Sequence, residues 1–253
     1  MSSDTELANL HLETTQLSSR DATLRREVKF ALPNVDFGKF RSILDVNCRR
    51  VSYGKRATSR VMSLYLDDAQ LSSCQHNLDG TPRRSKIRLR WYDVPRPGRQ
   101  VYFEVKRRAG EASTKERVSI HCSDLLESFE VRGIVEALIA VLPAPQAELL
   151  RMRCEPVLVT EYQRTYFEAR GEPLRVTVDT HLAFYRAGGG RLHGRFPVRV
   201  PELVILEAKS PVGGEHRLRE LLLPLEPWVT RSSKYVMGCQ YLGLLPGSHF
   251  GPI

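Results

Sequence analysis

The sequence predicts an α+β protein: an antiparallel, closed β-barrel of about eight strands, with helices packed outside. Three observations predict it. Segments that alternate charged and apolar residues recur along the chain, as in Lys86-Ile87-Arg88-Leu89-Arg90-Trp91-Tyr92. A strand sends successive side chains to opposite faces, so one face of each such segment is charged and the other apolar. Between these segments lie stretches with helical spacing, whose apolar stripes need an apolar surface to cover. A set of about eight strands in one domain exposes its edges unless the sheet closes on itself. With helices on the outside, the charged strand faces point inward and line a polar tunnel.

The elements follow in order. Residues 24–32 read as a strand, with Arg25, Glu27 and Lys29 opposite Val28 and Phe30. Residues 35–46 have helical spacing through Phe37, Phe40, Ile43 and Leu44. Ser59 to Asp67 form a strand, and Asp79-Gly80-Thr81-Pro82 is a turn signal. Strands at about 84–92 and 100–108 are joined by the Pro95-Arg96-Pro97-Gly98 turn, and a short strand follows near 114–121. Ser123 caps a helix over 124–142 that carries Leu125, Leu126, Phe129, Ile134, Val135, Leu138 and Ile139. Pro143 and Pro145 end it, and a shorter helix covers 145–152. Strands return at 156–168 and 173–186, the second leading into the turn Gly188-Gly189-Gly190. Short extended pieces near 191–200 precede a strand at 203–209, and helical spacing resumes at 216–223 and 232–244. Residues 1–23 read as a frayed or accessory terminus, 24–245 as a single domain and 246–253 as a tail.

Composition narrows the function. The 253 residues are 42% hydrophobic and 26% charged, an ordinary globular balance, and no apolar run has the length of a membrane span. Met1 to Asp21 lack the basic-then-apolar layout of a secretory signal. The formal net charge of +9 favours anionic partners: nucleotides, polyphosphate, nucleic acid or acidic membrane surfaces. The five cysteines are scattered and never spaced as C-x-x-C, which fits reduced thiols in a cytoplasm. The seven histidines form no H-x-x-x-H pair, which argues against a zinc enzyme. No G-x-x-x-x-G-K-[ST] accompanies the triple glycine, so that segment is read as a turn. Arg83-Arg84 and Arg107-Arg108 fall near strand ends and read as solvated charge.

A single charged strand face is ordinarily a solvated face, because antiparallel sheets commonly leave one side wet. Three features together outweigh that reading. Arg dominates, and it offers planar, multi-donor recognition of phosphate oxygens, while Lys supplies a compact charge. The charges recur at i, i+2 on several strands, including Arg175-Val176-Thr177-Val178-Asp179. Isolated acids sit among the bases: Glu27 with Lys29, Glu104 with Lys106, and Glu207 with Lys209. An acid in such a lining needs a paired charge or a metal, and a divalent cation bridging carboxylate and phosphate supplies one.

These residues carry a family resemblance. The segments E-V-K (27–29), S-L-Y-L-D (63–67), K-I-R-L-R-W-Y (86–92), F-E-V-K-R-R (103–108) and T-K-E-R-V (114–118) resemble the VTC domain. So do Y-Q-R-T-Y-F (162–167), L-R-V-T-V-D (174–179), I-L-E-A-K (205–209) and S-S-K-Y (232–235), in that order over about residues 24–243. That domain is the polyphosphate-polymerase module of the vacuolar transporter chaperone complex, within the triphosphate tunnel metalloenzyme superfamily. The resemblance implies a tunnel that binds triphosphate and a divalent metal, Mn²⁺ or Mg²⁺. Lys29, Arg88, Arg90, Lys106, Lys115, Arg164, Arg175, Lys209 and Lys234 would hold phosphates, with Lys86, Tyr65 and Ser233 as further contacts. Glu207 would be the principal metal ligand, helped by Glu27, Glu104 and Asp179. Arg25 stands where the wider superfamily's E-x-E-x-K signature has its first Glu, which favours the VTC branch over a two-metal hydrolase. The chain shows no regulatory SPX segment ahead of the barrel and no membrane segment after it, so coupling to translocation is not expected.

The expected activity is transfer of the γ-phosphoryl group of ATP, or another triphosphate, to a growing inorganic polyphosphate chain. The catalytic set would be Lys29, Arg88, Arg90, Lys106, Arg164, Arg175, Lys209 and Glu207. Two alternatives stay open: an inorganic or nucleoside triphosphatase on the same site, and a non-catalytic module that binds polyphosphate or nucleotide. Nucleic acid is not the expected partner, because few aromatics lie beside the bases for stacking. No dedicated base pocket is expected either.

Overall fold

The computed structural model describes residues 12–16, 25–53, 56–95, 97–110, 112–122, 131–171, 173–188, 196–211, 215–230 and 233–245. The chain opens with strand β1 (Leu12–Gln16), inside the segment read as a frayed terminus, followed by β2 (Arg25–Pro33) and helix α1 (Asn34–Asn47). Next come β3 (Cys48–Val51), β4 (Ser59–Asp67), the short helix α2 (Ser72–Leu78), β5 (Arg83–Tyr92), β6 (Gln100–Ala109) and β7 (Ala112–Cys122). Helices α3 (Val131–Val141) and α4 (Ala144–Met152) lead to the long hairpin of β8 (Glu155–Ala169) and β9 (Arg175–Arg186). The chain closes with β10 (Val198–Val200), β11 (Leu203–Pro211), α5 (Glu215–Leu222), a 3-10 turn (Leu223–Trp228) and α6 (Lys234–Tyr241). The Ser123 cap, residues 124–130, Gly189, Gly190 and 191–195 lie outside the described residues.

The strands form one antiparallel sheet in the order β1-β7-β6-β5-β4-β8-β9-β11-β2, with β3 on β8 and β10 on β9. The expected closed barrel is not formed; the sheet is curled into a half-barrel. Among the described residues no ladder joins β2 to the edge strand β1, or to the part of β7 that β1 leaves uncovered, since β1 pairs only with Val118–Cys122. The outer edge of β2 is instead covered by the chain after the 3-10 turn. There the Thr230 N–H donates to the Lys29 carbonyl at 2.9 Å, and Phe30 pairs with Val229. The curl is nevertheless tight. From β6 to β2 there are six strand spacings, which in a flat sheet would be about 29 Å. Lys106 of β6 lies 3.1 Å from Glu27 of β2.

The curl has its direction because the convex face is apolar. Met62, Leu64, Ile87, Leu89, Trp91 and Phe103 bury beneath Ile134, Leu138 and Leu150 of α3 and α4. On the other flank Phe30, Leu32, Val176 and Leu206 bury beneath Phe40 and Leu44 of α1 and Leu221 and Leu222 of α5. Burying one such side chain contributes about 1.5–3 kcal/mol, so turning either face outward would cost far more than any surface charge returns.

One helix departs from the expected outer shell. Helix α6 lies across the concave face, where Met237 joins a core with Val61, Tyr162, Phe184 and Ile205. Gly238 makes this approach possible: a Cβ there would stand 2.8 Å from Phe184 Cδ1 and 3.0 Å from Leu158 Cδ2. Helix α2 supports α6 from below, and its N-terminus rests on two acids. Asp67 accepts from the Ser73 and Cys74 N–H groups at 3.0 Å, and Asp68 accepts from Ser72 N–H at 2.9 Å. Among the described residues no helix is long and apolar enough to cross a membrane.

Candidate functional site: a cationic cavity under the curl

Period-two alternation puts Arg88 and Arg90 of β5 on the concave face, and the register sets Glu104 of β6 opposite Arg88. From there the cluster assembles itself. Glu104 is buried, 2% exposed, and four cations surround it. Arg88 Nη2 stands at 2.6 Å, Lys115 Nζ at 2.8 Å, Arg117 Nε at 3.2 Å and Arg90 Nη1 at 3.7 Å. Burial alone would push the Glu104 carboxyl up, but Arg88, Arg90 and Lys115 outweigh it and hold the group well below its ordinary range. Two phenols complete the frame. Arg88 donates to Tyr65 Oη at 3.0 Å, and Arg90 donates to Tyr162 Oη at 3.1 Å and Ser63 Oγ at 3.0 Å. The Tyr65 ring stacks on Tyr235, whose hydroxyl donates to Asp67 at 2.7 Å.

A second hub forms where β8, β9 and α6 meet. Asp179 is fully buried and accepts a two-pronged bond from Arg164, both contacts at 2.6 Å. Lys234, the first residue of α6, reaches the same carboxylate at 2.6 Å. Ser233 caps that helix, its hydroxyl oxygen accepting from the Val236 N–H at 3.3 Å. The acceptor role leaves the hydroxyl proton available to an anion.

The third group lies on β2 and β11. Lys29 Nζ is 3.0 Å from Glu27 and 3.9 Å from Glu207. Burial alone would raise the Glu27 carboxyl, but Lys29, Lys106 and Lys209 outweigh both burial and the neighbouring Glu207 charge and bring it to about 2. Glu207 differs from the other three acids. Its ion-pair contacts, to Lys29, Lys234 and Arg164, are all at 3.9 Å. Burial opposes its ionisation, yet Lys29, Lys234, Arg164 and Lys209 together hold it well below the usual carboxylate range. It is an ionised carboxylate whose oxygens no cation among the described residues touches more closely than 3.9 Å.

These groups enclose a cavity of about 170 Å³ lined by nine Lys and Arg side chains against three carboxylates, an excess of six positive charges. Pockets for drug-sized ligands measure roughly 300–1,000 Å³, so the cavity suits a chain of phosphates better than a whole nucleotide. Lys86 sharpens the demand for an anion. Among the described residues it has no carboxylate partner, and burial together with Lys29 and Lys106 pushes its amine well below the ordinary value.

Of the residues singled out from the sequence, Glu27, Lys29, Tyr65, Lys86, Arg88, Arg90, Glu104, Lys106, Lys115, Arg164, Glu207, Lys209, Ser233 and Lys234 line this cavity. Asp179 lies directly behind it, in contact with two of them. Arg175 does not line it: its side chain is 51% exposed, is paired with Glu168 at 3.6 Å, and faces a neighbouring shelf. Arg117 and Tyr162 were not singled out. Each sits two residues from a residue that was, Lys115 and Arg164, and so on the same strand face; that parity was a usable signal.

A sequence model described as the VTC domain matches residues 24–243. No curated protein matches the chain. Several solved structures are similar. A protein of Pyrococcus horikoshii OT3 aligns with TM-score 0.44 and 13% identity, over 85% of this chain and 97% of its own. A putative adenylyl cyclase from Hippeastrum, described as having a dominant triphosphatase activity, aligns with TM-score 0.47 and 15% identity, over 90% and 100% of the two chains. A putative adenylate cyclase from Bacillus halodurans gives TM-score 0.47 and 11% identity, over 85% and 95%.

Two outcomes follow from the charge geometry. Glu104→Gln leaves four buried or half-buried cations without their shared anion and should lower unfolding stability at neutral pH by about 3–5 kcal/mol. The native carboxyl is depressed, so its contribution is complete above the ordinary carboxylate range and is lost as the pH falls through the depressed value. Urea denaturation across pH should therefore show a shallower acid limb in the variant; equal stability at neutral pH would contradict the hub. Lys115 titrates at about 8, lowered by burial and by Arg88 and Arg90 against the pull of Glu104. Metal-free affinity for tripolyphosphate, measured by calorimetry, should weaken as the pH rises through about 8, and Lys115→Arg should flatten that fall. A pH-independent affinity across that window would contradict it.

Proposed function

The chain belongs to the VTC domain family, and on that premise we propose that it is a metal-dependent polyphosphate polymerase. It would move the γ-phosphoryl group of ATP, or of another triphosphate, onto the end of an inorganic polyphosphate chain. The observation that carries this reading is the division of labour among the acids. Glu104 and Asp179 are neutralised by cations within 2.6–3.2 Å, while among the described residues Glu207 is approached only at 3.9 Å. A site built only to hold an anion has no use for an ionised, loosely contacted carboxylate in a lining with six excess positive charges. A site for a triphosphate and a divalent cation does.

The donor set fits such an ion. Mg²⁺ and Mn²⁺ take oxygen ligands and are commonly held by one or two carboxylates plus substrate phosphates. Glu207 would be the direct ligand, with Glu27 on the neighbouring strand beside it. When bound, the cation would neutralise charge on the transferring phosphoryl oxygens. Among the described residues no three His, Cys, Asp or Glu side chains gather around a metal position. Glu104 and Asp179 are already saturated by cations and serve to orient Arg88, Lys115, Arg164 and Lys234.

Phosphoryl transfer needs alignment and charge neutralisation more than covalent help from the protein. Arg88 and Arg90, fixed by Glu104 and two tyrosines, present fork-shaped donors to phosphate oxygens. Arg164, Lys234, Lys29, Lys106 and Lys209 approach from the facing strands and from α6. A terminal oxygen of the acceptor chain forms the new P–O bond at the γ-phosphorus. The bond to the β–γ bridging oxygen breaks, and its electron pair leaves with the nucleoside diphosphate. The small cavity keeps the nucleoside outside, so recognition falls on the phosphates.

The test is to incubate the purified protein with ATP and Mn²⁺ and to resolve the products on a gel. Long phosphate chains are expected. Orthophosphate or pyrophosphate alone would replace this reading with triphosphatase activity on the same site. Glu207→Gln should keep tripolyphosphate binding and lose turnover by about 10²-fold or more, the scale of one transition-state charge contact. Absence of turnover in the parent protein with any divalent metal, with polyphosphate binding intact, would leave a binding module.

A further inference from the structure

Beside the cavity lies a second, larger concavity of about 690 Å³, formed where β3 pairs with the end of β8 and the chain turns into β9. Among the described residues its charged lining is four cations, Arg49, Arg170, Arg175 and Lys209, against one acid, Glu168. Lys209 also lines the first cavity, so the two concavities are neighbours that share this side chain. Glu168 holds two of the arginines in place: Arg49 Nη2 is 2.8 Å from one oxygen, and Arg175 Nε is 3.6 Å from the other. Each guanidinium spends one or two of its five donors there, and both side chains are more than half exposed. Exposed ion pairs contribute little to stability, so folding does not account for four like charges gathered at one rim. The described lining contains no aromatic ring on which a base would stack.

We propose that this shelf is a second phosphate subsite, which holds the polyphosphate chain beyond the segment enclosed by the cavity, so that a long chain spans both. The inference rests on the polyphosphate reading given above and adds a length dependence to it. A short chain fills the cavity alone, while a long one also neutralises Arg49, Arg170 and Arg175. Affinity should therefore rise with chain length, and its salt dependence should be steeper for long chains, because more counterions are released. During synthesis the shelf would keep the growing chain attached between turnovers.

The test compares binding of tripolyphosphate and long-chain polyphosphate to the parent protein and to Arg49→Glu/Arg170→Glu, with Arg49→Gln/Arg170→Gln as a milder second variant. Both positions lie outside the first cavity. Tripolyphosphate affinity should be unchanged, long-chain affinity should fall by about tenfold or more in the Glu variant, and the polymer made should be shorter. Equal losses for both ligands, or no loss for either, would overturn the shelf. So would a parent protein that binds long chains no more tightly than tripolyphosphate. A parent protein that binds neither ligand would overturn the polyphosphate reading itself, which is a different failure.

Discussion

The structure depends on one arrangement: ionised carboxylates buried on the concave face of the sheet, each shared among several cations. An excess of positive charge cannot be gathered in a half-dry cavity without counter-ions, because desolvation and mutual repulsion both oppose it. Glu104 and Asp179 supply that counter-charge from behind. Each takes two or more short contacts, so the side chains that face the cavity are held in fixed positions while keeping donors free. Lys29, Lys106 and Lys209 gather around Glu27 in the same way at the seam of the curl. Across that seam Lys106 reaches Glu27 by side-chain charge, and among the described residues no backbone ladder crosses it.

The apolar exterior makes this interior possible. Two helix-covered cores fix which face of each strand points outward, and period-two alternation then sends every alternate charge inward. Helix α6 adds a wall that the sheet cannot supply. Gly238 lets it approach Phe184 and Leu158 closely, and the approach delivers Lys234 to Asp179. The site is thus assembled from seven strands and one helix, with Asp179 of β9 behind them, and its preorganisation derives from packing on both faces of the sheet.

Much of this was legible in the sequence. The alternation in 86–92, 101–106 and 205–209 identifies both the strands and their charged faces, and the acids placed among the bases mark the counter-ions. Closure was not legible. It turns on what meets the two sheet edges: Val229 and Thr230 sit on β2 at Phe30 and Lys29, and the other edge is β1, a five-residue strand in a polar segment with little alternation. Helix α2 was also missed, since seven residues of S-S-C-Q-H-N-L carry almost no apolar periodicity, although Asp67-Asp68 before them is an N-terminal signal. The unequal roles of the four acids could not be read from spacing. Glu27, Glu104, Asp179 and Glu207 look alike in sequence, and only their distances to cations separate the closely paired acids from the loosely contacted one. Arg175 shows the converse: its parity places it on the concave face, but its position at the end of β9 puts it on the outer shelf.

The central claim is that the six excess charges and the loosely contacted Glu207 form one site for a triphosphate and its divalent cation. The most direct measurement is a crystal structure with tripolyphosphate and Mn²⁺ bound. Phosphate density should run past Arg88, Arg90, Arg164 and Lys234, with anomalous signal from manganese on Glu207. Phosphates bound only outside the cavity, or manganese on Glu104 or Asp179 in place of Glu207, would contradict it.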